Sequence, residues 1–220
     1  MEKHVYFVRH GESDSNADGV IRGPDASMTE KGKEQVSIVA DRIVRIGVEA
    51  IVASPFPRAI ETARTIGERV GLPIEESDLF VERRRPSALI GKKMKDVDVT
   101  AILSEIFEGY GKKEHRHSDE ENVEDLKQRL LAALSFLEQH SKNRICVVTH
   151  GVFLRLFFPV LVAGNDCSGR DIQHALKALV MDNAGITYAR FRSPAKHMAP
   201  LGVTANNWQL ISWNDSAHLG

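Results

Sequence analysis

Basic side chains and histidines follow two apolar runs in this sequence. Residues 5–8 lead directly into Arg9 and His10, and residues 145–148 lead through a threonine into His150. Arginine presents a planar fork of donors that matches phosphate oxygens, and a neutral histidine nitrogen can attack phosphorus. A second, protonated histidine can stabilise the charge on the transferring oxygens. These residue types therefore indicate phosphoryl transfer, which depends mostly on positioning and electrostatics, and they need no metal or cofactor for it.

Buried strands must position these side chains, because the apolar runs that precede them are short and uninterrupted. In an open α/β sheet, ligands bind just beyond the carboxyl ends of the strands, which is where Arg9 and His10 fall. A third apolar run, at residues 50–53, is followed by Pro57 and Arg58. Proline suits the first turn of a helix, so Arg58 is predicted at a helix N-terminus, an anion-binding position. Three strand ends thus bring together Arg9, His10, Arg58 and His150.

Glu82 is a candidate proton donor. The apolar residues 79–81 precede it, so its carboxyl group is expected to lie partly out of water, which would raise its pKa and keep a proton available. Alternatively, Glu82 pairs with the arginines beside it, Arg83, Arg84 and Arg85. Those arginines have two interpretations of their own. They bind a second anionic group of a substrate, or they form salt bridges at the surface.

Small and polar residues near these strand ends are candidate ligand contacts. Gly11 is expected to let the backbone turn sharply and approach a ligand closely. Asn16 either points back over the same site or caps a local turn. It belongs to a polar, helix-compatible stretch, residues 12–16, that predicts a short turn at most. The expected phosphate or substrate contacts, besides the catalytic residues, are Asn16, Arg22, Gly23, Arg83 and Gly151.

The composition predicts an ordinary globular enzyme. At 220 residues the chain is predicted to form a single domain, residues 1–220, with a substantial core. Its net charge of −1 gives no general attraction to nucleic acid or to acidic membranes. The N-terminal apolar run is too short for a signal peptide, and the longest apolar stretch, residues 152–163, is interrupted and is not expected to span a bilayer. A cytoplasmic location is expected, and the sequence leaves room for a homo-oligomer.

Helical periodicity alternates with the predicted strands. Apolar spacing predicts helices between Thr29 and Gly47, from Pro57 to Gly71, and over residues 97–107 and 123–137. A strongly apolar helix is predicted after Gly151. Further strands are predicted at residues 72–74, 186–191 and 208–213. Residues 91–122 are less regular and are interpreted as an insertion near the mouth of the site, where a lid could select substrates.

Neither the histidine pair His115 and His117 nor the two cysteines predict a metal site. His115 and His117 have the spacing of metal ligands, but no carboxylate or cysteine partner is evident nearby, so an exposed loop over residues 109–121 is favoured. Cys146 and Cys167 make no metal or redox pattern, and Cys146 lies in an apolar run as a small core residue.

Taken together, the motifs resemble the histidine phosphatase superfamily, which includes cofactor-dependent phosphoglycerate mutases and many phosphatases. The resemblance covers nearly the whole chain apart from residues 91–122, and the segments in this order are very specific. They are Arg9-His10-Gly11-Glu12-Ser13 with Asn16, Met28-Thr29-Glu30-Lys31-Gly32, Ala53-Ser54-Pro55 with Arg58-Ala59 and Thr62-Ala63, and Val148-Thr149-His150-Gly151.

The resemblance implies a role for each matching residue. His10 would be the nucleophile that becomes phosphohistidine, and Glu82 would protonate the leaving oxygen and later activate water. The implied fold is an α/β fold, a three-layer α/β/α sandwich with a mostly parallel central sheet. The implied phosphate pocket consists of Arg9, Arg58, His150 and Asn16.

The proton-donor segment separates branches of this superfamily. Mutases typically carry Glu-Arg-His-Tyr-Gly there, whereas this chain has Glu82-Arg83-Arg84-Arg85-Pro86. The difference favours a metal-independent phosphatase acting on a small phosphorylated substrate over a phosphoglycerate mutase. Two further functions stay open. One is that of a phosphoprotein phosphatase, which a shallow and open pocket would favour. The second is that of a non-catalytic binding protein, against which the retention of His10 argues.

Overall fold

The computed structural model describes residues 1–112, 115–193, 197–198, 203–204 and 207–220. The strands are β1 (Glu2–Arg9), β2 (Ala50–Ala53), β3 (Ile74–Glu76), β4 (Arg144–Thr149), β5 (Ile186–Arg192), β6 (His197–Met198), β7 (Val203–Thr204) and β8 (Trp208–Asp215). Six of them form one sheet, in the order β3-β2-β4-β1-β5-β8, and β6 and β7 form a separate antiparallel pair.

The central strands of the sheet run parallel and end level with one another. β1 pairs with β4 so that Val8 lies opposite Val148, and β2 pairs with β4 so that Ala53 lies opposite the same residue. The first residue after each strand therefore reaches a common edge. There the N–H of His10 donates to the carbonyl oxygen of Thr149 at 3.0 Å. β5 and β8 add antiparallel beyond β1, so the sheet is mixed but mostly parallel, as predicted.

Seven α-helices are present in the described residues, and they cover both faces of the sheet. They are α1 (Asp14–Asp18), α2 (Glu30–Ile46), α3 (Pro57–Val70), α4 (Val97–Gly109), α5 (Val123–Gln139), α6 (Gly151–Ala163) and α7 (Gly169–Ala178).

The sheet divides the apolar core into two parts. On one face Val8 packs with residues of α2 and α3, such as Ile43 and Ile66. On the other face Phe7, which points the opposite way because side chains alternate along a strand, packs with residues of α5 and α6, such as Phe153. The predicted three-layer α/β/α sandwich is confirmed. Burial on both faces explains why these strands are continuous apolar runs in the sequence.

Local predictions differ from the structure in three places. The polar stretch that predicted a turn at most forms α1, because the Oδ1 of Asn16 accepts the N–H of Ser13 at 3.1 Å at the start of the helix. The strand predicted at residues 72–74 lies at Ile74–Glu76. Helix α7 was not predicted from the sequence at all.

The loop at residues 109–121 is less exposed than predicted. Glu120 and Glu121 are buried, and the carboxylate of Glu120 accepts the N–H groups of His117 at 2.6 Å and Ser118 at 2.8 Å. Residues 113–114 of this loop lie outside the described residues. In the described part of the chain, no group of three or more His, Cys, Asp or Glu side chains is placed to hold a metal ion. None of the described helices has both the length and the apolar character needed to cross a bilayer.

Candidate active site

His10 lies at the carboxyl end of β1 and is 3% exposed. Its Nδ1 lies 2.7 Å from the carbonyl oxygen of Gly11, which can only accept a hydrogen bond, so Nδ1 carries the proton. The lone pair on Nε2 is therefore available, and the Nε–H of Arg58 donates to it at 3.2 Å. A neutral imidazole with one tautomer held in place is the form of histidine that attacks phosphorus.

His150 lies at the carboxyl end of β4, fully buried beside His10. The two ring centroids are 5.1 Å apart, with the ring planes at 60°. Nε2 of His150 lies 2.8 Å from Oγ of Ser54, whereas Nδ1 is buried without a hydrogen-bond partner among the described residues. Ser54 is a site residue to which the sequence assigned no role. Because this buried nitrogen has no partner, the His150 ring can form one more hydrogen bond. Such a bond would be favourable, since leaving a buried nitrogen unsatisfied costs free energy.

Burial and nearby positive charges lower the pKa of both histidines well below the ordinary value. For His10 burial is the main cause, followed by the charges of Arg58 and Arg9. For His150 burial is followed by His10 and the same two arginines. The sequence predicted a protonated second histidine. The structure instead favours neutral His150, because the ring is buried and cations face it. A phosphate dianion nearby would favour its protonation.

The two neutral histidines predict that the protein loses stability as the pH falls. Their folded-state pKa values lie below the unfolded value of about 6.5, so below that pH the unfolded chain binds more protons. The contribution of the two neutral histidines to the free energy of unfolding should therefore be complete above about pH 6.5. As the pH falls towards the folded-state pKa values it should drop by up to about 1.4 kcal/mol per pH unit for each histidine. Urea unfolding at about pH 7 and about pH 5.5 measures the loss.

The matched variant for this pH experiment is His10→Asn, which removes one of the two groups from both the folded and the unfolded chain. Its loss of stability over the same pH interval should be smaller than that of the wild type by one histidine's contribution. The exposed groups titrate alike in both proteins and cancel in the comparison. Identical pH dependence in the two proteins would contradict the lowered pKa of His10.

Arg9 and Arg58 place two positive charges beside the histidines. Arg58 follows Pro57 in the first turn of α3, as predicted, and its Nη1–H donates to the carbonyl oxygen of Gly23 at 3.0 Å. The Arg9 guanidinium donates to the carbonyl oxygen of Met181, while its Nε is buried without a partner among the described residues. Neither arginine has a carboxylate oxygen within 4.0 Å in the described part of the chain. Both charges are therefore available to an anion.

Glycines leave room for these groups. A Cβ atom on Gly151 would lie 2.9 Å from Nε of Arg9, so the guanidinium requires glycine after His150. Gly11 has a different purpose from the one predicted, because its backbone is not left-handed and a Cβ atom there would lie 2.5 Å from the carbonyl oxygen of Gly32. Close packing of α2 against this loop, rather than the approach of a ligand, explains Gly11.

Asn16 faces the site from α1. Its Oδ1 accepts the hydroxyl of Ser13 at 3.0 Å and the side-chain amide of Asn183 at 3.2 Å. Asn183 also donates to the carbonyl oxygen of His10 at 3.1 Å. Because these contacts occupy the oxygen of Asn16, its NH₂ group remains for an acceptor such as a phosphate oxygen. The sequence gave no sign that Asn183 reaches the site.

Glu82 is held at the N-terminus of α6. Its Oε1 accepts the backbone N–H groups of Arg83 at 2.9 Å and Phe153 at 2.7 Å, and its Oε2 accepts that of Val152 at 3.1 Å. The side chain is partly buried, as predicted. The alternative interpretation, an ion pair with the neighbouring arginine side chains, is not observed in the described part of the chain. A helix N-terminus holds the carboxylate instead.

A buried ion pair braces the segment that carries Glu82. Arg129 of α5 forms a two-pronged contact with Glu121, Nε to Oε1 at 2.7 Å and Nη2 to Oε2 at 2.8 Å. Its Nη1–H donates to the carbonyl oxygens of Leu79 at 3.2 Å and Val81 at 2.8 Å. Oε2 of Glu121 also accepts the N–H of Arg84 at 2.8 Å. These contacts lie on both sides of Glu82 in the chain and fix its position.

Removing one partner of this pair should be strongly destabilising. We expect Arg129→Leu to lower the free energy of unfolding by about 3–5 kcal/mol, because it leaves the Glu121 charge buried and unpaired. Adding Glu121→Leu should restore much of that loss, because no charge is then left buried. Turnover should stay low in the double variant, because the segment around Glu82 is no longer braced. A double variant as unstable as Arg129→Leu alone would contradict a charge-based cost.

A cavity of about 590 Å³ opens at this edge of the sheet. Nine of the ten candidate site residues line it, and the exception is His150. The ring centroid of His150 lies 5.2 Å from that of Phe56, which does line the cavity. Arg22 also lines the cavity, but its charge is engaged by Asp18 and, at 3.4 Å, by Asp14. The nine are Arg9, His10, Asn16, Arg22, Gly23, Arg58, Glu82, Arg83 and Gly151.

Further basic residues reach the cavity. Arg84 and Arg85 line it together with Arg83. None of the three forms an ion pair in the described part of the chain, so the alternative of surface salt bridges is not observed there. The sequence did not assign Arg155 of α6 or Lys177 of α7 to the site. A charge inside an otherwise apolar helix was the available signal for Arg155, whereas nothing in the pattern indicated Lys177.

Residues 5–216 match the family model of the histidine phosphatase superfamily (branch 1). Among curated proteins, the probable phosphoglycerate mutase GpmB of Salmonella arizonae is 33% identical over 158 residues, which cover 68% of this chain and 70% of the relative. The protein of the same name from Enterobacter sp. is 30% identical over 165 residues, with the same coverage of each chain.

Solved structures share the fold at lower identity. The mycobacterial glucosyl-3-phosphoglycerate phosphatase in complex with VO3 matches with a TM-score of 0.76 and 20% identity, covering 97% of this chain and 100% of that chain. Phosphoserine phosphatase from Entamoeba histolytica in complex with 3-phosphoglyceric acid gives a TM-score of 0.76 and 20% identity, covering 99% of both. The family match extends over nearly the entire sequence, and the chain therefore belongs to the histidine phosphatase superfamily.

Proposed function

We propose that this protein is a phosphatase that hydrolyses phosphomonoesters through a phosphohistidine formed on Nε2 of His10. The observation that carries the proposal is the pair of contacts on this ring. The carbonyl oxygen of Gly11 holds Nδ1–H at 2.7 Å, and Arg58 approaches Nε2 at 3.2 Å. The first contact leaves a nucleophilic lone pair on Nε2. The second places a guanidinium where the oxygens of the attacked phosphate would lie.

In the first step, Nε2 of His10 attacks phosphorus and the bond from phosphorus to the ester oxygen breaks. Glu82 gives its proton to that oxygen, which leaves as an alcohol. In the second step, Glu82 takes a proton from water as the water attacks phosphorus, and the bond from phosphorus to Nε2 breaks. Oε2 of Glu82 accepts only one of the three backbone hydrogen bonds, so it is the oxygen better placed to carry the proton.

Charge stabilisation comes from groups already in place. Arg9 and Arg58 balance the dianion, and the NH₂ group of Asn16 adds a donor. His150 lies 5.1 Å from the His10 ring and takes up a proton when a phosphate dianion reverses the field of the two arginines. None of these roles needs a bound metal ion.

A phosphoglycerate mutase is the second candidate, because both curated relatives described above carry that name. Two relatives in fold are named as phosphatases, one of glucosyl-3-phosphoglycerate and one of phosphoserine. The segment Glu82-Arg83-Arg84-Arg85-Pro86 differs from the mutase pattern and supports the phosphatase.

The cavity supports a small phosphorylated substrate rather than a phosphoprotein. Its volume of about 590 Å³ lies within the range of small-molecule sites. Ile90 and Met94 line it, and Met94 belongs to residues 91–122. We propose that residues 91–122 act as a lid over the site and that the chain forms one catalytic domain. Val99 of this region packs with Ile21 and Leu89 in a small apolar cluster.

Hydrolysis of an aryl phosphate in the presence of a metal chelator tests the proposal. Release of phosphate that persists with chelator, and that is inhibited by vanadate, is the expected result. A separate incubation with 3-phosphoglycerate, followed by ³¹P NMR, distinguishes the mutase. Interconversion of phosphoglycerates without release of phosphate would overturn the phosphatase in favour of the mutase. Loss of all activity with chelator would overturn the metal-independent mechanism.

A further inference from the structure

Besides Arg9 and Arg58, three partly buried arginines in the cavity wall have no carboxylate partner. Arg83 and Arg85 follow Glu82 in the chain, and Arg155 comes from the second turn of α6. All three are partly buried. In the described part of the chain, no carboxylate oxygen lies within 4.0 Å of their nitrogen atoms.

Neutral groups hold these three side chains in place. The guanidinium of Arg83 donates to the hydroxyl of Tyr110 and lies 5.8 Å from the centre of its ring. Arg155 donates to the carbonyl oxygen of Leu176, and Nη1 of Arg85 lies 3.7 Å from Sδ of Met94. Nε of Arg83 and Nε of Arg155 are buried without a partner among the described residues. The guanidinium groups are therefore oriented, but none of them forms an ion pair with a carboxylate among the described residues.

The three charges lie close enough to disfavour one another. Burial lowers the pKa of Arg85 and of Arg155, and the charge of Arg83 adds to the lowering in both, although the charge of Glu82 offsets part of it. Arginine nevertheless stays protonated in proteins, so the repulsion is retained in the folded state. Three other partly buried arginines do not incur this cost, because each lies beside a carboxylate. They are Arg42, Arg129 and Arg192, with Asp215, Glu121 and Glu2.

The charge balance of the cavity leaves room for a second anion. Its described lining includes eight arginine or lysine residues and one acidic residue, Glu82. A phosphate group brings a charge of about −1.5 to −2, which Arg9 and Arg58 match. Arg22 is already neutralised by aspartates. One phosphate therefore leaves Arg83, Arg84, Arg85, Arg155 and Lys177 unmatched, and of these Arg84 and Lys177 are exposed.

We propose that Arg83, Arg85 and Arg155 form a second oxyanion site in the same cavity, so that the preferred substrates are phosphomonoesters that carry a further carboxylate or phosphate. The guanidinium fork suits both groups, because each offers two oxygens in one plane. The proposal rests on the proposed phosphatase function and adds the substrate class to it. It also gives Arg155 a direct contact with substrate.

Matched substrate pairs test the second site. The first arm uses short phosphomonoesters that bear a carboxylate two to five bonds from the ester oxygen, each paired with its methyl ester. The second arm uses alkanediol bisphosphates paired with the corresponding monophosphates. We expect the wild type to favour the doubly anionic member by tenfold or more in kcat/KM in at least one arm, and the arm that responds identifies carboxylate or phosphate.

Variants then locate the preference. Arg85→Gln and Arg155→Gln should each lower the ratio of kcat/KM between the two members of a pair by tenfold or more. Arg85→Lys, which keeps the charge, should retain part of it. Because the ratio compares two substrates of one protein sample, partial misfolding does not change it. The control Arg64→Gln alters an exposed arginine of α3 outside the cavity and should leave the ratio as in the wild type.

The outcomes separate the second site from the proposed function. A wild type that hydrolyses both members of every pair at similar kcat/KM is a phosphatase without a second oxyanion site. A preference that persists in both glutamine variants would also overturn the site, because the preference would then arise elsewhere. A wild type that hydrolyses none of these compounds contradicts the phosphatase itself.

Discussion

Replacing His10 by alanine is expected to reduce the turnover of phosphomonoesters by roughly 10⁴-fold or more. No second nucleophile can substitute, because His150 is fully buried and its Nε2 contacts Ser54 at 2.8 Å. Steady-state kinetics with an aryl phosphate measure the loss. His174→Ala is the matched control, because it removes an exposed histidine of α7 and should leave turnover unchanged.

The same variant should remain folded and should still bind phosphate. His10 contributes a neutral ring between two arginines, and Arg9 and Arg58 keep their charges without it. Circular dichroism and calorimetric titration with inorganic phosphate test these two points. Mass spectrometry of the wild type, quenched at alkaline pH during turnover, should place phosphate on His10. Turnover of the alanine variant within tenfold of the wild type would remove His10 from the nucleophile's role.

Replacing Glu82 by glutamine should slow the hydrolysis of alkyl phosphates by roughly 10²- to 10⁴-fold and that of nitrophenyl phosphate much less. An alkoxide is a poor leaving group and needs the proton that Glu82 supplies, whereas nitrophenolate leaves without one. The measurement is the dependence of kcat on the pKa of the leaving alcohol across a substrate series. We expect a steeper dependence in the variant than in the wild type.

The leaving-group series also distinguishes proton transfer from positioning. Glutamine offers one acceptor oxygen in place of two, so the N–H of Val152 would lose its partner and the segment would shift. Such a shift slows all substrates alike and leaves the slope of the series unchanged. Equal slowing across the series would therefore assign Glu82 a positioning role. The control Glu12→Gln alters a carboxylate in the first motif that pairs with Lys31 and lies outside the cavity lining.

The convergence of His10, Arg58 and His150 was predictable because each follows directly from a local pattern. A short apolar run predicts a buried strand, and parallel strands of similar length end at one edge of the sheet. The register confirms this, since Arg9 lies opposite Thr149 and Ala53 opposite Val148. The position of Arg58 followed from Pro57, which marks the first turn of α3.

The protonation of the site was not predictable in the same way. The sequence indicated that a second histidine was present, and the expectation of a protonated ring followed from the chemistry it would perform. Burial and the charges of Arg58 and Arg9 instead lower the pKa of His150 and favour its neutral form. Those causes depend on which side chains surround the ring in space, and they include residues far away in the chain, such as Arg58.

The sequence by itself determined the fold class, the edge of the sheet at which the site lies and the residues that follow each strand there. Only the tertiary structure decided which charges in the cavity are compensated. Arg22 is neutralised by its neighbours in α1, whereas Arg83 and Arg155 are not. The physical reason is range: strands and caps are indicated by residue types within a few positions of one another. Whether a side chain such as Arg155 meets a carboxylate depends on residues distant in the chain. Arg155 meets the carbonyl oxygen of Leu176 instead, a contact that arises only when α6 and α7 pack together.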